Sequence, residues 1–320
     1  MQIMKQLKAP KPFYLIAPLA MALAACGGGG SSSDAPAPAP APAPTPAAPI
    51  AISIPFIAVA NNANTPVTCE SGLKAQGSTP TDAQLADLRF YLTDIALVND
   101  KGETVPVTLD ANEWQLTSGS DKVVLIDLEN GKGGCAAEGT ATTNALIKGT
   151  VPAGSYTQLK ATVGVPEKLS HSDVMAAKAP LDLMAMGWSW QAGRKFAKIE
   201  LNPVGGVSTP SGGSTSIVST YFLHLASTNC TGPGDGSDTC AKKNLAQFAI
   251  PFNLSTQQVA IDLGSMFSGS DIRKNQNEAV GCMSATSDLD CPAIFGKFGL
   301  DLATGGNATT AQSVFRAIAK

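Results

Sequence analysis

The sequence predicts an all-β protein, with a single β-sandwich or barrel-like domain that carries a few short helices. Several short segments are rich in β-branched and aromatic residues and alternate between apolar and polar positions. Turn sequences such as residues 99–102, 130–133 and 152–154 separate these segments. No long helical pattern alternates with them, which argues against a parallel α/β fold.

The individual elements follow from the same patterns. Strands are predicted at residues 51–59, 88–98, 122–128, 155–165, 196–201, 216–226, 245–253 and 257–263. Helices are predicted at residues 81–87 and, near the C-terminus, at 270–278 or 294–298. The stretch 203–216 is rich in Gly, Ser and Pro, so we expect a long loop inside the domain.

The N-terminus has the pattern of a lipoprotein signal. Three lysines precede an apolar run, residues 13–25, which is too short to be a permanent membrane span. The run ends in Leu-Ala-Ala-Cys at Cys26, the pattern of a lipobox. We therefore expect residues 1–25 to be a signal peptide and Cys26 to be lipidated. The alternative is an ordinary secretory signal with an incidental cysteine.

A low-complexity tether follows the cysteine. Residues 26–50 contain a Gly/Ser-rich stretch and then an Ala-Pro repeat, which favours an extended, semi-rigid chain with nothing to bury. The predicted folded domain is residues 51–320. Because Gly27 rather than Asp follows Cys26, we expect export and lipid anchoring to the outer membrane, facing the periplasm or the cell surface.

Composition limits the classes of partner. A hydrophobic content of 44% is enough for a sizeable core. The formal net charge is -3, and no basic stripe is visible, so the sequence argues against a nucleic-acid partner.

The cysteines also indicate export. Six remain besides Cys26, and an even number in an oxidising compartment favours three disulfides. Cys230–Cys240 and Cys282–Cys291 each bracket a short polar loop, so local closure is the simplest pairing, and Cys69–Cys135 is then the long-range remainder. The alternative, a cysteine metal cluster, lacks any CxxC spacing.

Two histidines are the main candidates for chemistry. His171 follows a predicted strand, and His224 lies inside another. Between them, Trp188 and Trp190 would share one face of a strand. Imidazole and thioether groups are good copper ligands, so a soft-metal site is one interpretation. Its third ligand stays open among water, a modified aromatic residue and the methionines Met175, Met184, Met186 and Met283.

Other interpretations stand beside a metal site. Each histidine could be a structural residue, and the tryptophans could be core. The Asp/Gly-rich loop 232–238 could bind Ca²⁺ in an adhesin-like surface protein, although it lacks EF-hand spacing. A structural envelope lipoprotein would need no metal at all. No GxSxG motif or paired carboxylates support a hydrolase.

Short motifs occur in one order over roughly residues 52–302: RFYLTDI from Arg89, GVP from Gly164, LSHSD around His171, APL from Ala179, MGWSWQAG around Trp188, KFAKIE from Lys195, FLHL around His224, and GCM ending at Met283. Together they resemble the MbnP family, also called metallo-mystery-pair four-Cys proteins. Members are β-sandwich proteins that bind copper.

The resemblance implies specific roles for these residues. It implies a single copper ion held by His171, His224 and a tryptophan oxidised to kynurenine, with Trp188 preferred over Trp190 and Met283 as a weak further candidate. The oxidant would be an MbnH-type di-haem protein related to cytochrome c peroxidases, so this chain would be a substrate and not an enzyme.

Three features depart from the family pattern. Ser170 stands where an Asn is expected before the histidine, and Arg194 stands where an aromatic residue is expected. The latter could alter the approach of the partner. Six cysteines after Cys26 also exceed the nominal four, so one disulfide is expected to be extra.

Overall fold

Strands dominate the structure, a computed structural model that describes residues 48–61, 63–188, 193–211 and 213–320. In these ranges the strands are β1 (Ile50–Val59), β2 (Gly72–Gln76), β3 (Thr81–Asn99), β4 (Thr104–Pro106), β5 (Thr108–Leu109), β6 (Gln115–Ser118), β7 (Asp121–Asp127), β8 (Leu146–Val151), β9 (Tyr156–Val163), β10 (Ala197–Pro203), β11 (Val207–Ser211), β12 (Ser214–Val218), β13 (Tyr221–Leu225), β14 (Thr228–Thr231), β15 (Thr239–Lys242), β16 (Ala246–Pro251), β17 (Gln257–Asp262) and β18 (Phe315–Ala319).

The helices are short. They are α1 (Glu167–Ser170), α2 (Leu263–Phe267) and α3 (Cys291–Lys297), with 3₁₀ turns at Gly133–Cys135 and Met184–Met186. In the described part of the chain, none of the helices has the length and apolar character that a membrane span requires.

Two main sheets form the domain. The smaller has the order β18-β17-β1-β8-β5, and the larger has nine strands around the path β13-β10-β3-β7-β6. In the larger sheet β2, β4 and β9 also pair with β3, and β16 pairs with β9. Neither sheet closes on itself within the described ranges, so the all-β prediction is confirmed and the fold is sandwich-like.

Aromatic side chains join the two sheets. Phe56 on β1 and Phe315 on β18 belong to the smaller sheet, and their rings lie 6.1 and 5.8 Å from the ring of Phe90 on β3. Phe248 on β16 stacks on Phe315 at 4.4 Å. All four are buried. The apolar core therefore lies between the sheets, on the face of the larger sheet that carries Phe90.

The three disulfides have the pairing that the cysteine spacing predicts: Cys69–Cys135, Cys230–Cys240 and Cys282–Cys291. Two of them link segments that lie side by side. Cys230 lies directly opposite Cys240 in the β14–β15 hairpin. Cys282–Cys291 ties the start of α3 to the segment beside β13, which places residue 282 next to His224.

Some predicted elements are wrong. Residues 81–87 form the start of β3 instead of a helix, because Thr81, Ala83, Leu85 and Asp87 are buried alternately between β2 and β10. That period-two burial overrides a helix-like composition. Residues 270–278 are turns, and α3 instead overlaps the alternative helix at 294–298.

The region 203–226 also differs from prediction. Its expected loop contains the β11–β12 hairpin, and the strand expected at 216–226 divides into β12 and β13, which belong to different sheets. The described side chains of β12 are mostly exposed. Apart from Val207, the described side chains of this hairpin are half-buried or exposed and show no apolar alternation, which is why its sequence resembles a loop.

Candidate metal site

A row of buried ionisable groups crosses the face of the larger sheet opposite the core. Phe90 points into the core, so its neighbour Arg89 points the other way. Across four strands, Asp127 is in register with Arg89, Arg89 with Lys198, and Lys198 with His224. All four side chains are buried. This ionic row, Asp127–Arg89–Lys198–His224, carries the first predicted ligand at its β13 end.

His224 is oriented by a carboxylate. Its Nε2 lies 2.7 Å from Oε1 of Glu200, and Nζ of Lys198 lies 3.3 Å from the same oxygen. Because a carboxylate only accepts, Nε2 is the donor and Nδ1 keeps the lone pair that a metal needs. Burial lowers the pKa of His224, although the hydrogen bond to Glu200 opposes the effect. The imidazole is therefore neutral at pH 7, the form that coordinates metals.

The backbone of β13 fixes His224 from both sides. The N–H of His224 donates to the carbonyl of Cys282 (2.9 Å), and the hydroxyl of Ser284 donates to the carbonyl of His224 (2.8 Å). These two bonds bring Met283 beside the strand, where it is half-buried. Its own N–H donates to Asp288 (2.9 Å).

His171 directly follows α1 in a loop of residues 164–196. Its side chain is buried, and Nε2 lies 3.2 Å from Sγ of Cys240. The loop thus places the second predicted ligand against the β14–β15 hairpin. Sequence spacing gave no signal for this contact, because 69 residues separate the two positions.

Trp188 contacts the surroundings of both histidines. Its ring lies edge-on to the ring of His224, with centroids 5.9 Å apart. It also lines a pocket of about 250 Å³ together with His171, Met175 and Met184. Trp188 is 38% exposed, so the pocket is open to a partner at this point. Trp188 therefore packs against His224 and borders the pocket that His171 lines.

The methionines among the predicted site residues differ in burial. Met186 is buried in the hydrophobic core, whereas Met175 and Met184 are exposed at the pocket. Trp190 and the predicted lipidation site Cys26 lie outside the described residues.

Arg194 holds the His171 loop in place. It is buried, and its guanidinium donates to the carbonyl oxygens on either side of His171, those of Ser170 (2.8 Å) and Ser172 (2.6 Å). It also donates to the carbonyl of Leu181 (2.9 Å). The side chain is only 1% exposed, so it does not itself form part of the protein surface. Its role is internal, where an aromatic residue could not donate these bonds.

The backbone also connects Trp188 to this guanidinium. The N–H of Trp188 donates to the carbonyl of Gly193 (2.9 Å), and Gly187 forms an isolated bridge with Arg194. Tyr91, on the same face of β3 as Arg89, donates to the carbonyl of Pro180 (2.7 Å). Tyr91 therefore anchors the loop on the larger sheet, whereas Arg194 joins segments of the loop to one another.

At the β7 end of the ionic row, burial changes the pKa of Asp127. Arg89 bonds to Asp87, and Lys198 bonds to Asp87 at 2.7 Å. Burial raises the pKa of Asp127 to about 8, and its Oδ2 has no hydrogen-bond partner among the described residues. These groups were missed in the sequence. The available signal was a pair of charges two residues apart in an otherwise apolar strand, seen at Asp87 and Arg89.

The loop 232–238 uses its carboxylates internally. Asp238 accepts from the N–H of Gly234 (3.0 Å), and Asp235 accepts from the N–H and the hydroxyl of Ser237. The arrangement is that of self-satisfied turns, and the calcium interpretation gains no support from it.

Comparison with known proteins bears on the family of this chain. A sequence profile of the MbnP family matches residues 51–284. No curated protein sequence matches the chain. Among solved structures, MbnP from Methylosinus trichosporium has a TM-score of 0.74 and 33% sequence identity, over 85% of this chain and 99% of that one. Because the profile spans most of the chain and the structural match is nearly complete, this protein belongs to the MbnP family.

Proposed function

We propose that this protein binds one copper ion through His171, His224 and an oxidised Trp188. The observation that carries the proposal is the position of Trp188, whose ring packs on His224 at 5.9 Å and shares a pocket with His171. Two imidazoles suit copper, and membership of a copper-associated family supports that choice of metal.

The chemistry explains why the tryptophan would need modification. An intact indole has no basic lone pair, because its nitrogen shares that pair with the ring. Opening of the ring to kynurenine removes one carbon and adds one oxygen, and it leaves an aryl amine that can donate to a metal. When bound, copper supplies a centre that can exist in cuprous and cupric states.

The proposed oxidant is an MbnH-type di-haem protein of the cytochrome c peroxidase family. In this scheme the protein is the substrate of oxidation and has no catalytic residues of its own. The exposure of Trp188, at 38%, supports the scheme because the ring edge is within reach of a docked partner.

Mass spectrometry of the native protein tests the modification. The tryptic peptide 179–194 contains Trp188 and Trp190, and fragmentation would assign the loss of one carbon and gain of one oxygen to one of them. We expect the change at Trp188 in cells that contain the partner. An unmodified peptide from such cells would overturn the kynurenine scheme.

Copper titration tests the ligands. We expect His171→Ala and His224→Ala each to weaken copper binding by about tenfold or more. Trp188→Phe should also weaken it in protein from the native host, whereas Trp114→Phe is the matched control at a tryptophan outside the site. Unchanged affinity in both histidine variants would show that the site lies elsewhere.

The proposed location is the outer membrane, through a lipid on Cys26. Three disulfides support an oxidising compartment. Metabolic labelling with a fatty acid, compared between the native protein and Cys26→Ser, tests the anchor. Equal labelling of the two proteins would overturn it.

A further inference from the structure

A disulfide lies next to one of the candidate copper ligands. In the β14–β15 hairpin, Cys230 and Cys240 face each other and form a disulfide. Nε2 of His171 lies 3.2 Å from Sγ of Cys240. The nitrogen and the two sulfurs all lie within 4.8 Å of one another. If the disulfide were opened, three soft-metal donor atoms would therefore already be gathered.

This donor set differs from the groups at the other two disulfides. Glu129 lies beside Cys69–Cys135, and Asp288 lies beside Cys282–Cys291, so each has a hard oxygen where the hairpin has an imidazole. Every residue of those two groups is buried, whereas Cys230 is half-buried. Among the described residues, only the hairpin disulfide combines a histidine with a sulfur near the surface.

The hairpin also borders the candidate copper pocket. Gly234, in its turn, lines the pocket together with His171 and Trp188. The turn packs closely on α1, because a Cβ added at Gly236 would lie 2.6 Å from the carbonyl of Lys168. Cys240 itself lines a second cavity of about 140 Å³, and Ser170 lines both this cavity and the candidate copper pocket. This cavity gives a small reductant or a metal ion a route to the disulfide without unfolding of the domain.

We propose that the Cys230–Cys240 disulfide is reducible in the folded protein and that its reduction creates a second, thiolate-containing metal site with His171. A dithiol reductant would supply two electrons and two protons, giving two protein thiols and becoming a disulfide itself. Binding of a cuprous ion would then release both thiol protons. Two thiolates and one imidazole form a set that suits Cu(I).

The inference does not require the proposed copper function, but both sites use His171. The thiolate site formed by reduction would therefore compete with the nitrogen site for His171 and would shift the bound ion toward the sulfur ligands. A reducing partner would in this way control where the protein holds a soft metal.

Cobalt(II) titration of the purified full-length protein tests the proposal, because thiolate ligands give Co²⁺ a charge-transfer absorption that nitrogen ligands do not. We expect no such band before reduction and a clear band after treatment with a phosphine reductant. Alkylation and peptide mapping should show Cys230 and Cys240 as the thiols that become free first.

Variants identify the ligands. Cys230→Ser and Cys240→Ser should each abolish the band, and His171→Ala should lower the Cu(I) affinity of the reduced protein by about tenfold or more. His224→Ala is the matched control and should leave the band unchanged. Copper binding by the unreduced protein is measured separately, so failure of the nitrogen site would be distinguishable.

Three results would overturn the proposal. One is a hairpin that resists reduction while the protein stays folded by circular dichroism. Another is free thiols at both positions without a charge-transfer band in the native sequence, a result that does not depend on how the variants fold. The last is a band that survives in Cys240→Ser.

Discussion

The two sides of the candidate site are built differently. On the strand side, His224 lies on β13, where a ladder of backbone bonds, Glu200 and the segment around Met283 hold it. On the loop side, His171 and Trp188 lie in residues 164–196, where a few side chains replace a ladder. Because many bonds hold the strand side, we expect its structure to tolerate single substitutions. The loop side has few such bonds, so its structure should depend heavily on Arg194.

Arg194→Ala is the substitution that we expect to lower stability most. Several buried carbonyls would lose a charged donor, each worth about 1.5–3 kcal/mol, and such losses are not additive. We expect the free energy of unfolding to fall by about 3–5 kcal/mol, measured by urea denaturation. The copper affinity should fall with it, because the His171 loop loses its support.

Its neighbour provides the matched control. Lys195 is half-buried and donates one bond, from Nζ to the carbonyl of Ala185 at 3.0 Å. Lys195→Ala should therefore cost about 1.5 kcal/mol, the low end for a single charged donor. Equal losses in the two variants would contradict the idea that the loop depends on the guanidinium.

The second prediction concerns the strand side and pH. Burial raises the pKa of Asp127 from 3.8 to about 8, so the folded protein binds more protons than the unfolded chain between these values. The contribution of Asp127 to stability is therefore present at acid pH and is lost as the pH rises from about 4 to about 8.

Asp127→Asn removes this titration. We expect the variant to gain roughly 1–3 kcal/mol relative to the native protein between pH 5 and pH 9. Urea denaturation at the two pH values measures the change. A difference between the two proteins that is the same at both pH values would show that Asp127 does not titrate with a raised pKa.

A smaller effect is expected for Glu200→Gln, which assumes the proposed copper function. The amide keeps the size of the side chain but weakens the acceptor that orients Nε2 of His224, so copper affinity should fall by about tenfold. Glu138→Gln is the control, because Glu138 shares the contact with Lys198 at 2.7 Å but is largely exposed and does not contact His224. Similar copper affinities of the two variants would argue against an orienting role for Glu200.

The smallest change in stability is expected for two tyrosines that make the same kind of hydrogen bond. Tyr91 donates to Pro180 at 2.7 Å and is buried, whereas Tyr156 donates to Pro152 at 2.6 Å in an exposed position. Tyr91→Phe leaves a buried carbonyl unpaired and should cost about 1–1.5 kcal/mol. Tyr156→Phe should change thermal stability by less than about 0.5 kcal/mol. Equal costs would mean that the loop is not anchored through Tyr91.

The fold class was predictable because strand patterns are local. The alternation at residues 51–59 and 257–263 gave β1 and β17 nearly to their ends. What the patterns did not give was their neighbours, since β1 and β17 form the parallel pair of the smaller sheet. The short strands β4, β5 and β6 were missed because two to four residues cannot display a period.

The candidate site was only partly predictable. Motif resemblance pointed to His171, His224 and Trp188, and the structure packs Trp188 against His224 and places it in the pocket that His171 lines. Glu200 and Arg194 escaped notice as orienting groups, because their effect depends on contacts that the sequence does not encode at short range.

Local sequence patterns predicted the all-β class, the pairing of six cysteines and the small set of residues able to hold a metal. These predictions follow from periodicity, from two short cysteine spacings that leave one remaining pair, and from the scarcity of histidine. The assembled sheets were needed to show that a row of ionisable groups runs from Asp127 to His224, that one guanidinium supports the loop, and that His171 contacts a disulfide. The physical reason is that strand register and loop packing join distant residues, and the free energy of those contacts depends on burial that appears only when the sheets assemble.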